Sequence, residues 1–397
     1  MQNSNVDSGA QLKTSTNITK NVVLIATTAD ATINFRKTLI EALSQKGHNV
    51  YVFCNDYVAQ TKLKIETLGG IPIDNPLNRS GLNPFLDILA MAKLAIKLRS
   101  ISADVVFCCQ VKPVIFGTFA AKIAGVPRIV SMLEGLGWAF TQRPDPPIFK
   151  LKIVKYVQLI LYRMAFPLMD KILFLNSDDI DMLSRECHLK IPSYDIIGAI
   201  GVPKSSIKFC SPNLNERVFI FVGRLLFDKG IREFVSAAKM VKQQYPATRF
   251  IACGDIDLGN PASLTKLDVA KLKSENQIEF TGYIQDVHSY LRNSSLIVLP
   301  SYREGFPMVI QEAMAIGRPA IVTDVPGCRQ SVIDGVTGFI VKPFSADDIA
   351  DKMIFFINNP NAIVEMGHQA YLHASAHYNA DLTSDKIALD ILNSQDQ

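Results

Sequence analysis

The stretch SLIVLPSYREGFPMVIQEAMAIGRPAIVTD, Ser295–Asp324, sets the reading of the whole chain. SLIVLP and PAIVTD are short, β-branched apolar runs, and the segment between them, from Pro307, has helical period. A strand, a helix and a second strand in that order form the unit of a parallel sheet covered by helices. The same alternation recurs on both sides. Upstream lie VVLIA at Val22, VYVFC around Tyr51, DVVFCC at Asp104, RIVSM at Arg128 and KILFLN at Lys171; then come RVFIFVG at Arg217, RFIACG at Arg249, QIEFTG at Gln277 and, last, GFIV at Gly338. Two Rossmann-like α/β sheets are expected. Between the series, IIGAIGVPKSSIKFCSPNLNE is dense in Gly, Pro, Ser and Asn, which puts the boundary near residues 197 to 214 and the domains at 21–200 and 201–397. Ala370 to Ser394 reads as one or two helices that either cap the second sheet or cross back to the first. Open sheets of this kind bind ligands outside their carboxyl ends, so chemistry is sought in the loops that follow strands, facing a shared cleft.

Composition narrows the classes. The chain has 397 residues, 48% of them hydrophobic, enough for two cores, and a formal net charge of only +4, which does not favour a nucleic-acid partner. Seven cysteines without a C-x-x-C pair read as reduced thiols of a cytosolic protein, and adjacent Cys108 and Cys109 should face opposite sides of a strand. Residues 1–20, polar and without an apolar core, read as a disordered leader rather than a signal peptide. The longest apolar segment, from Ile148, is interrupted by Lys150, Lys152, Lys155 and Arg163, so it is too polar to span a bilayer. It either lies along an anionic membrane surface or packs in the core with its lysines snorkelling outward.

Two loops carry the candidate chemistry. After RVFIFV come Gly223-Arg224 and Lys229-Gly230: a glycine that allows close backbone approach and two cations that form an anion clamp suited to a diphosphate. After SLIVLP comes Ser301-Tyr302-Arg303-Glu304-Gly305-Phe306-Pro307, with Pro307 expected as the first helical residue and free amides at the helix start pointing to the cleft. A carboxylate at Glu304 would be repelled by phosphate, so its expected targets are hydroxyls. Glu312 lies roughly 7 to 8 Å up the helix at about 1.5 Å per residue, where its two oxygens could grip a ribose. This spacing fits a nucleotide-sugar laid along the helix.

With these residues on view, the chain resembles the family 4 glycosyltransferases of the GT-B fold, whose E-x7-E hallmark is Glu304 to Glu312 here. The resemblance includes Gly223-Arg224, Lys229-Gly230, Gly282-Tyr283-Ile284 and GRPAIVTDVPGCRQSVIDGVTGFIV, and it covers residues 21 to 390. It implies that Arg224 and Lys229 hold a donor diphosphate, Glu312 the ribose, and Tyr283 and Ile284 the base. Glu304, with the backbone of Gly305, Phe306, Pro307 and Met308, would hold the transferred sugar. RSGLNPF from Arg79, QVKPVIFGTFAAKIAGVPR from Gln110 and LEGLGWAFT from Leu133 are similar to bacterial enzymes that extend polyprenyl-diphosphate-linked sugars, α-1,3-N-acetylgalactosaminyltransferases in particular. That likeness implies a retaining transferase using UDP-GalNAc or another UDP-HexNAc at the cytoplasmic membrane face. It also places Lys112, Arg79, Arg128 or Arg143 near an acceptor diphosphate.

The chain departs from the family at two places. Thr27 to Thr32 replaces a Gly-Gly loop, and Glu134 stands where a catalytic-site histidine is common, so that Glu134 would bind or deprotonate the acceptor hydroxyl. Asp255-Ile256-Asp257 follows a strand-end glycine and reads as a loop rather than a metal-binding D-x-D, and the histidines lack the partners of a zinc site; no essential metal or other cofactor is expected. The rival readings are a GT-B UDP-sugar epimerase and an inactive nucleotide-sugar-binding subunit. A nicotinamide dehydrogenase is disfavoured because neither sheet begins with G-x-G-x-x-G.

Overall fold

Each apolar run singled out above forms a strand in the computed structural model, which describes residues 18–78, 84–144, 149–257, 259–260, 262–275 and 277–393. The first sheet contains β1 (Asn21–Ile25), β2 (Asn49–Cys54), β3 (Gly70–Asp74), β4 (Val105–Cys109), β5 (Arg128–Leu133), β6 (Lys171–Phe174) and β7 (Tyr194–Ile196) in the order β3-β2-β1-β4-β5-β6-β7. The second contains β8 (Val218–Val222), β9 (Arg249–Cys253), β10 (Glu279–Gly282), β11 (Leu296–Leu299), β12 (Ala320–Thr323) and β13 (Gly338–Val341) in the order β10-β9-β8-β11-β12-β13. Pairings are parallel throughout, for example Val23 with Tyr51 and Val106. Strand order reverses between β1 and β4 and again between β8 and β11, which marks a crevice at the carboxyl end of each sheet. These are two Rossmann-like domains of the GT-B type.

Central strands are buried on both faces. Val22 and Leu24 enter one core and Val23 and Ile25 the other, and Cys109 and Cys108 divide in the same way. The strands absent from the sequence reading are β3 and β7, the two edges of the first sheet. GIPID carries a proline, which an edge strand tolerates, and the three residues of β7 are only partly covered.

The chain crosses between domains twice, and the crossings touch. Val202 donates its amide to Tyr378 O (2.9 Å) and accepts from the amide of Ala380 (3.0 Å). Gly201 beside it has φ +90°, and a Cβ there would stand 2.4 Å from Ala380 N, so this crossing needs glycine. The helix Pro360–His377 packs on the helix Met308–Ala315 of the second domain. The helix Ala380–Leu392 returns to the first domain, lying on the helix Ala29–Gln45 with Thr38 and Ser384 hydroxyls 2.6 Å apart and Lys171 Nζ 2.5 Å from Asp390.

Two expectations are corrected at the termini of elements. Pro307 is not the first helical residue; its ψ of 117° is extended and it caps the helix that starts at Met308. Of the expected leader, residues 1–17 lie outside the described residues, while Lys20 is already tied down, its amide donating to His48 Nδ1 and its ammonium to Leu392 O (2.8 Å). Among the described residues no helix is long and apolar enough to cross a membrane. The basic amphipathic segment forms the helix Phe149–Ala165, burying Leu151, Tyr162 and Ala165 while leaving Phe149, Ile153, Tyr156, Val157, Ile160 and Met164 exposed.

Candidate active site

The loops after β8 and β11 flank the crevice of the second sheet and bring the expected residues together. Lys229 Nζ lies 2.5 Å from Glu304 Oε1, and the Ser301 hydroxyl donates to the same oxygen at 2.7 Å. Glu304 thus has two donors on one oxygen. Gly230 follows with φ +73°, where a Cβ would meet Pro300 O at 2.0 Å; the two loops can close on each other only because no side chain intervenes.

Arg224 follows Gly223 at the end of β8 and pairs with Asp257 at 2.5 Å. The D-x-D segment works as a loop. Asp255 O accepts the amide of Leu225, its carboxylate accepts the amide of Ile256, and Asp257 N–H donates to Ser263. Among the described residues no three His, Cys, Asp or Glu side chains cluster so as to hold a metal ion.

The helix Met308–Ala315 begins at this crevice. Among the described residues, the amides of Gly305, Phe306, Met308 and Val309 find no acceptor, which leaves a concentration of N–H donors at the positive end of the helix. Phe306 is buried with its ring 5.7 Å from that of Tyr378, and this fixes the loop against the domain crossing. Gln311 does the same from the next turn, accepting the amide of Gly201 at 2.7 Å. Beside it, Glu312 has no hydrogen bond or ion pair among the described residues, and desolvation alone pushes its carboxyl up to about 7. A carboxyl in that condition is ready to accept hydroxyl donors. Tyr283 and Ile284 follow β10; Tyr283 is 74% exposed, while Ile284 packs on the core.

Across the cleft, Glu134 directly follows β5 and its backbone presses on Gly305, where a Cβ would come within 1.8 Å of Glu134 O. Its carboxylate is bound by the guanidinium of Arg36, which is only 3% exposed. Burial works against the charge on Arg36, and Glu134 with Cys109 more than offsets it, leaving the guanidinium above its ordinary range. For both roles expected of Glu134, binding or deprotonating the acceptor hydroxyl, the ion pair with Arg36 bears on how its carboxylate is held and oriented. Arg36 escaped the sequence reading although a signal was present: Thr32, Arg36, Leu39, Ile40 and Leu43 share the spacing of one helix face, and all are buried.

The candidate acceptor cations separate. Lys112 follows β4 but pairs with Asp87 at 2.7 Å. Arg79 lies outside the described residues. Arg128 begins β5, at the strand end remote from the cleft, and donates to Asp390 O and Ile391 O at the end of the returning helix, which corrects its expected place. Arg143 does reach the cleft, where it pairs with Asp228 at 2.7 Å, one residue before Lys229.

Further contacts join the domains without having been expected. Asn176 donates to Gly305 O at 2.8 Å, Arg329 pairs with Asp178 at 2.5 Å, and Arg303 pairs with fully buried Asp179. Desolvation raises the Asp179 carboxyl despite the opposing pull of Arg303.

Against this geometry, two family models match: a glycosyl transferase 4-like domain over residues 22–174 and a glycosyl transferases group 1 domain over residues 205–373. The chain belongs to the glycosyltransferases, with one domain type in each half. It is 26% identical over 351 residues, 85% of this chain and 89% of its relative, to the N,N'-diacetylbacillosaminyl-diphospho-undecaprenol alpha-1,3-N-acetylgalactosaminyltransferase of Campylobacter jejuni. In fold it is similar to sucrose-phosphate synthase from Thermosynechococcus elongatus (TM-score 0.76, 18% identity, 93% of this chain and 97% of that one). It is also similar to HepE of Anabaena in complex with UDP and glucose (TM-score 0.74, 17% identity, 94% and 100%).

Proposed function

We propose that this glycosyltransferase is a retaining enzyme that moves a HexNAc, GalNAc by preference, from a UDP-sugar to a polyprenyl-diphosphate-linked saccharide during surface-glycan assembly. The observation that carries the reading is the partnerless, desolvated Glu312, set one turn above free helix amides and the Lys229–Glu304 pair. A UDP-sugar satisfies all three: ribose hydroxyls donate to Glu312, the diphosphate takes the amides with Arg224 and Lys229, and sugar hydroxyls donate to Glu304. Tyr283 and Ile284 would border the base. The Campylobacter relative, named for an undecaprenol-linked acceptor and GalNAc transfer, supports the acceptor class and the donor preference.

In this reading the acceptor oxygen bonds to the anomeric carbon as the bond from that carbon to the phosphate oxygen breaks on the same face. The acceptor proton passes to the leaving oxygen, and UDP departs. The second domain lowers the barrier by placing cations and amides where charge develops on the diphosphate, with no metal ion needed. Glu134, tied to Arg36, binds the acceptor rather than deprotonating it. The protein works at the cytoplasmic membrane face, peripherally, with the outer face of the helix Phe149–Ala165 against lipid.

Purified protein incubated with a panel of UDP-sugars and polyprenyl-diphosphate saccharides, with products identified by mass and linkage, tests this directly. Transfer from UDP-GalNAc with retention at the anomeric carbon is expected. Release of free sugar with no acceptor product, or no reaction with any donor, would overturn it.

A further inference from the structure

Glu304 belongs to the second domain, yet the residues on either side of it are held by the first. Asn176 Nδ2 donates to Gly305 O at 2.8 Å, and the carboxylate of Asp179 pairs with the guanidinium of Arg303. Both partners stand on one turn, at the start of the short helix Ser177–Asp181 that follows β6, and they are tied to each other. Asn176 Oδ1 caps that helix by accepting the amide of Asp179 at 2.8 Å. Asn176 thus spends its oxygen within its own domain and its amide nitrogen across the cleft.

Little of this is open to water. Asn176 and Asp179 are buried, and the Arg303 side chain is only 6% exposed. Asp179 Oδ2 and Arg303 Nε are also buried with no hydrogen-bond partner among the described residues. An apolar pair of similar volume would close a domain boundary without that cost. What the charged pair adds is direction, because a planar guanidinium meets a carboxylate in few orientations. The second domain contributes an anchor of its own, the Glu304 amide on Pro326 O at 3.0 Å.

We propose that Asn176 and Asp179 are positioning residues for Glu304: the first domain sets the loop that carries this carboxylate, which reaches its working place only where the two domains meet. The inference rests on the reading above that Glu304 holds the transferred sugar. Glu312 and Arg224, which that reading gives to the ribose and the diphosphate, lie outside the segment Arg303–Gly305. Loss of the positioning contacts should therefore separate turnover from UDP binding.

The test is made on the full chain with Asn176→Asp and Asn176→Ser. Both keep an oxygen that can cap the helix, and neither has an amide nitrogen to offer Gly305 O. Counted per UDP-binding site, so that unfolded chain does not enter, kcat at saturating donor and acceptor should fall about tenfold or more, with UDP affinity by calorimetry within about twofold of wild type. Asp178→Asn is the control. Asp178 stands on the same turn and joins the domains through Arg329 and Gln330, but through neither neighbour of Glu304, so kcat should stay within about threefold of wild type. Wild-type kcat in both Asn176 variants would overturn the assignment. So would a fall matched by an equal loss of UDP affinity, or an equal fall in Asp178→Asn, since either is what general loosening of the boundary would give. Glu304→Gln keeps the two readings apart: if turnover survives it, the role of Glu304 itself fails, whereas a fall there beside unchanged Asn176 variants removes the positioning alone.

Discussion

Glu304 and Glu134 face one cleft from opposite domains, and each is met by a cation, yet the two pairs are built differently. Lys229 approaches Glu304 from a loop and remains 23% exposed, so a ligand can take either partner. Arg36 approaches Glu134 from beneath, from a helix packed on the sheet, where nothing can replace it. The first pair is exchangeable and the second is fixed. The second domain's pairs, Lys229 with Glu304 and Arg224 with Asp257, stay partly open to a ligand, while the first domain buries Arg36 and Lys112 more deeply against its own carboxylates.

Breaking the fixed pair should have the largest effect. Arg36→Met leaves the Glu134 carboxylate without its partner and should cost about 3–5 kcal/mol in urea unfolding. Adding Glu134→Gln should restore part of this. If Arg36→Met unfolds like wild type, the pair is not the anchor described.

Glu304→Gln comes next. It keeps the shape of the side chain but removes the charge, and should lower kcat about 10²-fold or more with a smaller change in donor KM, measured by initial rates.

Glu312 should act through pH. Only its anion accepts two hydroxyls, so with its carboxyl at about 7, UDP affinity by calorimetry should rise about tenfold from pH 6 to pH 8. Glu312→Gln should flatten that profile. Stability has the opposite sign. Burial raises the folded value above the ordinary 4.5, so the wild type loses stability as pH climbs toward and through 7, and Glu312→Gln should melt higher than wild type at pH 8 but not at pH 4.

The smallest effect belongs to the exchangeable pair. Lys229→Met leaves Glu304 its Ser301 donor and should cost less unfolding free energy than Arg36→Met, while weakening UDP binding. A large stability loss there would erase the contrast between the two glutamates.

What could be read from the sequence follows the same division. Interior strands announce themselves because both faces are buried, and VFIFV or LIVL has no other physical home than a covered sheet. The edges β3 and β7 lack that constraint: β3 carries Pro72 and the three residues of β7 are only half covered. Glu304 and Lys229 were legible because they lie on loops that follow strands, and Glu312 because it sits on the helix that the second of those loops leads into. Arg36 lay in plain view within TINFRKTLIEAL but was passed over, as arginines on amphipathic helices generally face water. The fate of Lys112 could not be read at all, since Asp87 reaches it only through tertiary packing.

The returning helix ties the two halves together in time as well as space. Translation normally lets an amino-terminal domain fold while the rest is still being made. Here the first sheet emerges early, but Lys171, Arg128 and Lys20 find Asp390, Ile391 and Leu392 only after the whole second domain has followed. A nascent chain stalled before Ala380 should therefore keep its first domain open to protease, and protection should arrive with the final helix.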